Sequence, residues 1–190
     1  MNKIYNFIEK GEETLTLYEE QVYKNMILGN YIIYDNEYSN ALKYAQQYIE
    51  KVDKKGLPIY VHGFRIASAL ELVGYSREYV ITAILHDILE DSWDDNAKNI
   101  DRIRMSFGED IIDSIIILTK QKKETYFDYI KRIIKSNNDV SIKVKQMDIS
   151  DHLFYSKDIP KSLIKRYKKA SEILGMKFFK DIYIQGEENG

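Results

Sequence analysis

The sequence contains no cysteine, only two prolines and nine glycines among its 190 residues. Without cysteine, neither a disulfide framework nor a thiolate metal site can form, so a bound metal would need histidine and carboxylate ligands. The longest strictly aliphatic run, residues 115–118, is far shorter than the roughly 20 apolar residues that span a bilayer. Positive charge is not in excess, since the formal net charge is −2, and this argues against a nucleic-acid-binding protein.

The apolar content is nonetheless high enough for a folded domain, because 44% of the residues are hydrophobic and 31% are charged. Residues 1–10 mix charged and apolar side chains and lack the apolar core of a signal peptide, so we expect a cytoplasmic protein outside the membrane. We predict one domain over residues 36–176, a helical extension over residues 1–35 and a polar tail over residues 177–190. Within the extension, residues 14–28 favour a helix.

The scarcity of proline and glycine leaves too little turn-forming material for an all-β fold. Apolar side chains instead recur at the i, i+3, i+4 spacing of a helix, as Ala41, Tyr44 and Ala45 do. Residues that favour helix starts and ends, such as Pro58 and Gly74, delimit these segments. The predicted helices cover residues 36–53, 58–73, 77–89, 99–105, 109–120, 125–136, 139–154 and 158–174. The sequence therefore predicts an all-α, multi-helix fold.

The most unusual stretch is the segment His86–Asp91, with the sequence HDILED, which directly follows an apolar run. If the preceding helix continues through it, His86 and Glu90 are i, i+4 neighbours, and so are Asp87 and Asp91. Carboxylates near a helix C-terminus oppose the helix dipole by roughly 0.3–1 kcal/mol each, and partial burial of such a cluster costs more unless a cation lies among them. We therefore predict a metal-binding or catalytic role for this segment.

The charges around this segment are not balanced locally, because no lysine or arginine lies between Arg77 and Lys98. Local rules that are broken without local compensation are typical of functional sites. Asp94 and Asp95, which follow the segment, are interpreted as part of a solvated acidic loop.

Further metal ligands would have to come from elsewhere in the chain. His62 lies in the first turn of its predicted helix, beside Gly63, which permits close approach of another group. Asp148, Asp151 and His152 form an i, i+3, i+4 set on a later helix, and spacing alone does not choose among them. A site of two histidines and two carboxylates suits Mn, Fe or Zn.

Taken in order, His62, the pair His86-Asp87 and Asp148 resemble the H…HD…D signature of the HD-domain metal-dependent phosphohydrolases. The closer resemblance is to the hydrolase domain of the RelA/SpoT family and its short, stand-alone members of the Mesh type. Four stretches between residues 36 and 155 carry this resemblance. They are Gly56–His62 (GLPIYVH), His86–Asp91 (HDILED), Phe107–Glu109 with Leu118–Lys120 (FGE and LTK), and Val144–Asp148 (VKQMD).

The resemblance implies an HD-domain helical bundle with a metal site between its helices. It implies that His62, His86, Asp87 and Asp148 hold one divalent metal ion, typically Mn²⁺, although Fe²⁺ and Zn²⁺ suit the same ligand types.

The resemblance also implies an activity. Glu90 and Asp91 match the acidic pair that positions or activates the attacking water in this family. The implied reaction removes the 3′-pyrophosphate of (p)ppGpp or a related purine alarmone by means of metal-activated water. The expected partner is therefore a phosphorylated purine nucleotide.

Five residues are candidate substrate contacts. Lys54 matches the second residue of an Arg-Lys pair in the family, and Tyr155 falls at a substrate-side position. His152 stands where the family has an asparagine that contacts substrate. Arg65 and Lys145 lie close to predicted metal ligands in the sequence and could bind phosphate, and either could equally be a solvated charge on its helix.

Two departures from the family pattern leave other functions open. Asp53 replaces the arginine of the Arg-Lys pair, and His152 replaces the asparagine. One alternative is an HD-type nucleotide phosphatase that acts on another phosphorylated nucleotide. A second is a catalytically silent HD module that binds metal or nucleotide and regulates a partner through residues 1–35. Glu90 and Asp91 favour an enzyme, because holding a metal does not require them. A homo-oligomer also stays open.

Overall fold

The computed structural model describes residues 36–52, 58–72, 74–155 and 160–176. Over these residues the chain forms helices and no β-strand, apart from one isolated antiparallel bridge between Val52 and Pro58. The helices in chain order are α1 (Asn36–Tyr48), α2 (Tyr60–Leu72), α3 (Arg77–Leu85), α4 (Ile88–Asp91), α5 (Asn96–Phe107), α6 (Glu109–Leu118), α7 (Tyr126–Lys135), α8 (Asp139–Tyr155) and α9 (Lys161–Ile173). The all-α prediction is confirmed.

Two parts of the predicted domain organisation lie outside the described residues. These are the extension over residues 1–35, with its predicted helix over residues 14–28, and the tail over residues 177–190. Among the helices that the structure does describe, none is long and apolar enough to cross a membrane.

Helix α3 lies at the centre of the bundle. Every residue from Val80 to Leu85 is buried, and the helix packs against α2, α6 and α8. Most of the largest fully buried side chains around it are isoleucines, including Ile66, Ile112, Ile115 and Ile149. Burying such a side chain stabilises a fold by about 1.5–3 kcal/mol. This apolar packing fixes α3, and with it the position of the segment that follows.

The predicted helix over residues 77–89 is wrong, because the chain leaves the helix at His86 and Asp87. Helix α3 ends at Leu85, and α4 is a single turn that starts at Ile88. The ring Nδ1–H of His86 donates to the carbonyl of Ala83 at 2.8 Å. In a continuous helix, the amide of Asp87 would use that carbonyl. The side chain of His86 thus bonds to the carbonyl that a continued helix would use, and the backbone departs from helical angles at Asp87, with φ −95° and ψ 2°.

The interpretation of Asp94 as a solvated loop residue is also wrong. Its carboxylate is mostly buried and forms an ion pair with Arg102 at 2.6 Å. Asp95 caps helix α5 by accepting a hydrogen bond from the amide of Lys98 at 3.2 Å. Both residues therefore serve the local structure of α5.

The other predicted helices are confirmed with shifted ends. The helix predicted over residues 158–174 starts at Lys161, directly after Pro160, whose backbone angles are not helical. Thr125 caps α7 through a hydrogen bond from the amide of Asp128, as expected for a helix that begins at Tyr126.

Gly63 allows α2 and α3 to approach closely. A Cβ atom at this position would lie 2.8 Å from the carbonyl oxygen of Ala83 and 2.9 Å from that of Ile84. Both atoms belong to the backbone, so neither can move without shifting α3. Because Gly63 follows His62 directly, this contact also sets how near His62 comes to the end of α3.

We expect Gly63→Ala to destabilise the protein by about 1–3 kcal/mol, the usual cost of overpacking, despite the better helix propensity of alanine. Ser68→Ala, on the same helix, is the matched control and should change the free energy of unfolding little. Urea unfolding of the metal-free proteins measures both. Equal stability of the two variants would contradict the close helix contact.

Candidate metal centre

Three side chains from three parts of the fold meet in one cluster. His62 comes from the first turn of α2, His86 from the turn after α3, and Asp148 from α8. One ligand atom of each residue lies within 4.8 Å of the other two. His86 and Asp148 are buried and His62 is largely buried. The structure therefore brings together three of the four residues predicted as metal ligands.

The fourth predicted ligand, Asp87, lies beside this cluster on its more open side. Its Oδ2 atom is 3.1 Å from Nε2 of His86, and its side chain is 36% exposed. Although desolvation opposes ionisation of both groups, in the absence of a metal ion Asp87 raises the pKa of His86, and the charged imidazolium in turn holds the pKa of Asp87 below its usual range. A separation of about 3 Å is what two ligand atoms show when each lies about 2.1 Å from one metal ion.

The tautomer of the neutral His86 ring is determined by its backbone contact. A carbonyl oxygen only accepts hydrogen bonds, so the bond to Ala83 places a proton on Nδ1 and, in the neutral ring, leaves a lone pair on Nε2. This Nε2 atom is buried and has no hydrogen-bond partner among the described residues, since its contact with Asp87 lacks hydrogen-bond geometry. A buried lone pair facing carboxylates suits a divalent cation, and the residues present fit a metal ion.

His62 is held from behind by a second carboxylate. Its Nδ1 atom lies 2.6 Å from Oδ2 of Asp151, and its Nε2 atom lies 2.8 Å from Oδ1 of Asp148. Desolvation alone would lower the pKa of His62, but the two carboxylates outweigh it and raise the pKa to about 10. With Nδ1–H directed to Asp151, the Nε2 atom of His62 faces the cluster, as in other carboxylate–histidine–metal arrangements.

Arg65 completes this support and is not directed at the cluster. Its Nε and Nη2 atoms donate to the two oxygens of Asp151 at 3.0 and 2.7 Å. The charge of the buried Asp151 carboxylate is thereby balanced, and its position is fixed by a bidentate pair. The structure thus separates Asp148 from Asp151, a choice that the helical spacing left open.

Lys145 and His152 both contact Asp148. The Nζ atom of Lys145 is 2.6 Å from Oδ2, and Nε2 of His152 is 3.2 Å from Oδ1. Although desolvation opposes it, Lys145 and the two histidines hold the pKa of Asp148 well below its usual range. The ring of His152 stacks on His62 at 4.5 Å and on Tyr167 at 5.5 Å.

The side chains of the two remaining predicted substrate contacts lie outside what the structure describes. Lys54 lies outside the described residues. Tyr155 is the last residue of α8, and its side chain is not among those described.

The acidic pair Glu90 and Asp91 obtains its compensation from distant parts of the chain. Oε1 of Glu90 accepts a hydrogen bond from the amide of Lys120 at 2.7 Å, and desolvation raises the pKa of Glu90. Asp91 forms an ion pair with Lys51 at 2.6 Å, and Lys51 also donates to the backbone carbonyl of Glu90. Sequence reasoning missed Lys51, because nothing in its local pattern links it to residues 40 positions away.

Comparisons with known proteins identify the family of this chain. Residues 41–169 match the HD domain family, and they contain all four predicted metal ligands. The chain is 30% identical over 149 residues to a guanosine-3′,5′-bis(diphosphate) 3′-pyrophosphohydrolase of Aquifex aeolicus (strain VF5), covering 75% of this chain and 20% of that protein. The chain therefore spans about a fifth of the length of this relative.

The fold is similar to that of a metazoan ortholog of SpoT that hydrolyses ppGpp. The TM-score is 0.55 and the sequence identity is 17%, over 74% of this chain and 84% of the other. HD domains bind divalent metal ions. The chain belongs to the HD domain family, and the resemblance stated from its motifs is confirmed.

We expect Asp151→Leu to destabilise the metal-free protein by about 3–5 kcal/mol, because it removes the buried carboxylate that pairs with Arg65 and His62. Asp151→Asn keeps an oxygen that accepts from His62 and should lose less. Asp101→Leu is the matched control, since Asp101 forms only an exposed ion pair with Arg104 that contributes about 0–1 kcal/mol. Urea unfolding in the presence of a chelator measures the differences. Similar losses in the Asp151→Leu and Asp101→Leu variants would contradict the role of this pair.

Proposed function

We propose that this chain is a metal-dependent phosphohydrolase that removes the 3′-pyrophosphate of (p)ppGpp or a related purine alarmone. The observation that carries the proposal is the buried Nε2 of His86, which has no hydrogen-bond partner in the described part of the chain and lies near the carboxylates of Asp87 and Asp148 within an HD domain. The activity of the bacterial relative supports the substrate class. We further propose that the reaction takes place in the cytoplasm.

In this proposal, His62, His86, Asp87 and Asp148 hold one divalent metal ion. Mn²⁺ is the proposed ion, and Fe²⁺ and Zn²⁺ suit the same nitrogen and oxygen ligands. When bound, such an ion polarises phosphoryl oxygens and lowers the pKa of bound water towards neutrality.

Glu90 is the proposed proton acceptor for the attacking water. The amide of Lys120 holds its Oε1 atom, which leaves Oε2 for the proton. Desolvation raises the pKa of Glu90, and a carboxylate with a raised pKa is a better base near neutral pH. Asp91, oriented by Lys51, is the proposed second member of the acidic pair.

The proposed substrate contacts are Lys54, Arg65, Lys145, His152 and Tyr155. Lys145 contacts Asp148 of the cluster directly, and Arg65 contacts Asp151, which in turn contacts His62. The positive charges of Lys145 and Arg65 favour an anionic substrate at the cluster. Each charge also balances a buried aspartate. His152 lies at the edge of the cluster with 41% of its side chain exposed. Because it replaces the asparagine of the resembling family, a different phosphorylated nucleotide is the second candidate substrate.

We expect the wild-type protein to bind about one equivalent of Mn²⁺, as a mononuclear site of this ligand type requires. His86→Gln should weaken Mn²⁺ binding by at least about tenfold, because it removes one of the two ring nitrogens assigned to the ion. His152→Gln is the comparison variant: it removes a contact with Asp148 but no assigned ligand, so it should weaken Mn²⁺ binding less than His86→Gln does. Metal analysis after dialysis gives the stoichiometry and electron paramagnetic resonance titration the affinity. Full retention of Mn²⁺ by His86→Gln would contradict the ligand assignment.

Mn²⁺-loaded wild-type protein should convert ppGpp and water to GDP and pyrophosphate. Glu90→Gln should lower kcat by about 10²–10⁴-fold, the usual contribution of a general base, while its Mn²⁺ content stays unchanged. Glu109→Gln is the control, since Glu109 is exposed and pairs with Arg104. Product release measured by ion-exchange chromatography decides the outcome.

A panel of nucleotides phosphorylated at the 2′, 3′ or 5′ position separates the alternatives. Turnover of another nucleotide with no turnover of ppGpp would favour the second candidate substrate. Equal inactivity of wild type and Glu90→Gln on every compound would reject the enzyme and favour a binding module.

A further inference from the structure

Two buried hydrogen-bond donors near the metal centre lack partners. The hydroxyl of Tyr126, at the start of α7, and Nε of Arg166, on α9, are both buried, and neither has a hydrogen-bond partner among the described residues. The guanidinium of Arg166 lies 4.6 Å from the centre of the Tyr126 ring, so the two groups are adjacent. Buried polar groups are almost always hydrogen-bonded in folded proteins. Two neighbouring exceptions therefore indicate a missing ligand.

The charge of Arg166 is not balanced in the way that other cations around the cluster are. Lys145 pairs with Asp148 at 2.6 Å, and Arg65 pairs with Asp151 at 2.7 Å. Within the described ranges of the chain, Arg166 forms no ion pair with a carboxylate, and its guanidinium lies over the rings of Tyr126 and Tyr167. Aromatic faces hold the guanidinium in place without neutralising it, so its charge stays available for an anion.

These two donors are connected to the metal centre by a series of stacked rings. The Tyr167 ring lies parallel to His152 at 5.5 Å, and His152 stacks on His62 at 4.5 Å. The hydroxyl of Tyr126 also lies within electrostatic reach of Asp148 and Lys145. The donors therefore belong to the surroundings of the cluster, on the side formed by α7 and α9.

The same ring contacts determine which part of a nucleotide could bind here. The His152 ring already stacks with two rings, those of His62 and Tyr167. A nucleobase that stacks on His152 would compete with these two ring contacts. What this side offers is a guanidinium and a hydroxyl, which are donors suited to phosphate oxygens.

We propose that Arg166 and Tyr126 form a phosphate-binding subsite beside the metal centre, and that it binds a phosphate group of the nucleotide other than the one released by hydrolysis. This inference rests on the proposed function, which supplies a substrate with phosphates at two positions. Neither residue belongs to the four stretches that carry the family resemblance. The subsite would make Arg166 and Tyr126 determinants of substrate specificity, with no part in the bond cleavage itself.

Binding of inorganic pyrophosphate to the metal-free protein tests the subsite without any turnover. By isothermal titration calorimetry, we expect Arg166→Gln to raise the Kd by about tenfold or more and Tyr126→Phe to raise it by about threefold to tenfold, as for lost hydrogen bonds to a charged ligand. Lys165→Gln, which removes an exposed charge from the same helix, is the matched control and should bind as wild type. Tyr126→Phe retains the ring under Arg166, so it stays informative if Arg166→Gln fails to fold.

Absence of pyrophosphate binding by the wild type, or unchanged binding in the Tyr126→Phe and Arg166→Gln variants, would overturn the subsite.

A kinetic test links the subsite to the substrate. Guanosine 3′-diphosphate lacks the 5′-phosphates of ppGpp, so it cannot use the subsite. In Arg166→Gln, the ratio of kcat/KM for ppGpp to kcat/KM for guanosine 3′-diphosphate should fall towards one, because the KM for ppGpp rises. A retained ratio would also overturn the proposal.

The calorimetric test of the subsite and the kinetic test of the proposed function can fail independently of each other. If neither guanosine nucleotide is turned over by the wild type, the proposed function fails, while calorimetry with pyrophosphate still decides whether the subsite exists.

Discussion

A buried negative charge at Asp148 imposes the arrangement of the whole centre. The carboxylate is 3% exposed, so it is stable only if cations or donors replace the water that it lost. Lys145, one turn earlier on α8, neutralises one oxygen, and His62 and His152 meet the other. Because His62 reaches Asp148 from α2, the charge also determines how α2 and α8 lie against each other.

The two histidines of the cluster are themselves oriented by groups that do not face the cluster. Asp151 orients His62, and Arg65 in turn holds Asp151, so the direction of the Nε2 atom of His62 depends on residues that do not face the cluster. On the other side, the backbone of Ala83 orients His86. One backbone carbonyl and one carboxylate thus define the geometry of the two histidines that lie deepest in the centre.

Much of the fold could be predicted from the sequence, because helical periodicity and the residues at helix ends act over a few positions. The helices of α6, α7 and α8 follow from such patterns. The break at His86 and Asp87 could not, since it occurs together with a side-chain hydrogen bond from His86 to the carbonyl of Ala83. Local spacing predicts a helix through this segment, and no propensity rule contains the competing hydrogen bond.

The candidate site, like the fold, could be predicted from the sequence only in part. By itself, the sequence determined the all-α class, the family and the residue types that a metal would need, because these follow from local patterns and ordered motifs. Only the tertiary structure decided that Asp148 faces the cluster while Asp151 lies behind His62, and that Lys51 compensates Asp91. These outcomes depend on contacts between residues as far as 89 positions apart, which packing creates and a linear pattern does not contain.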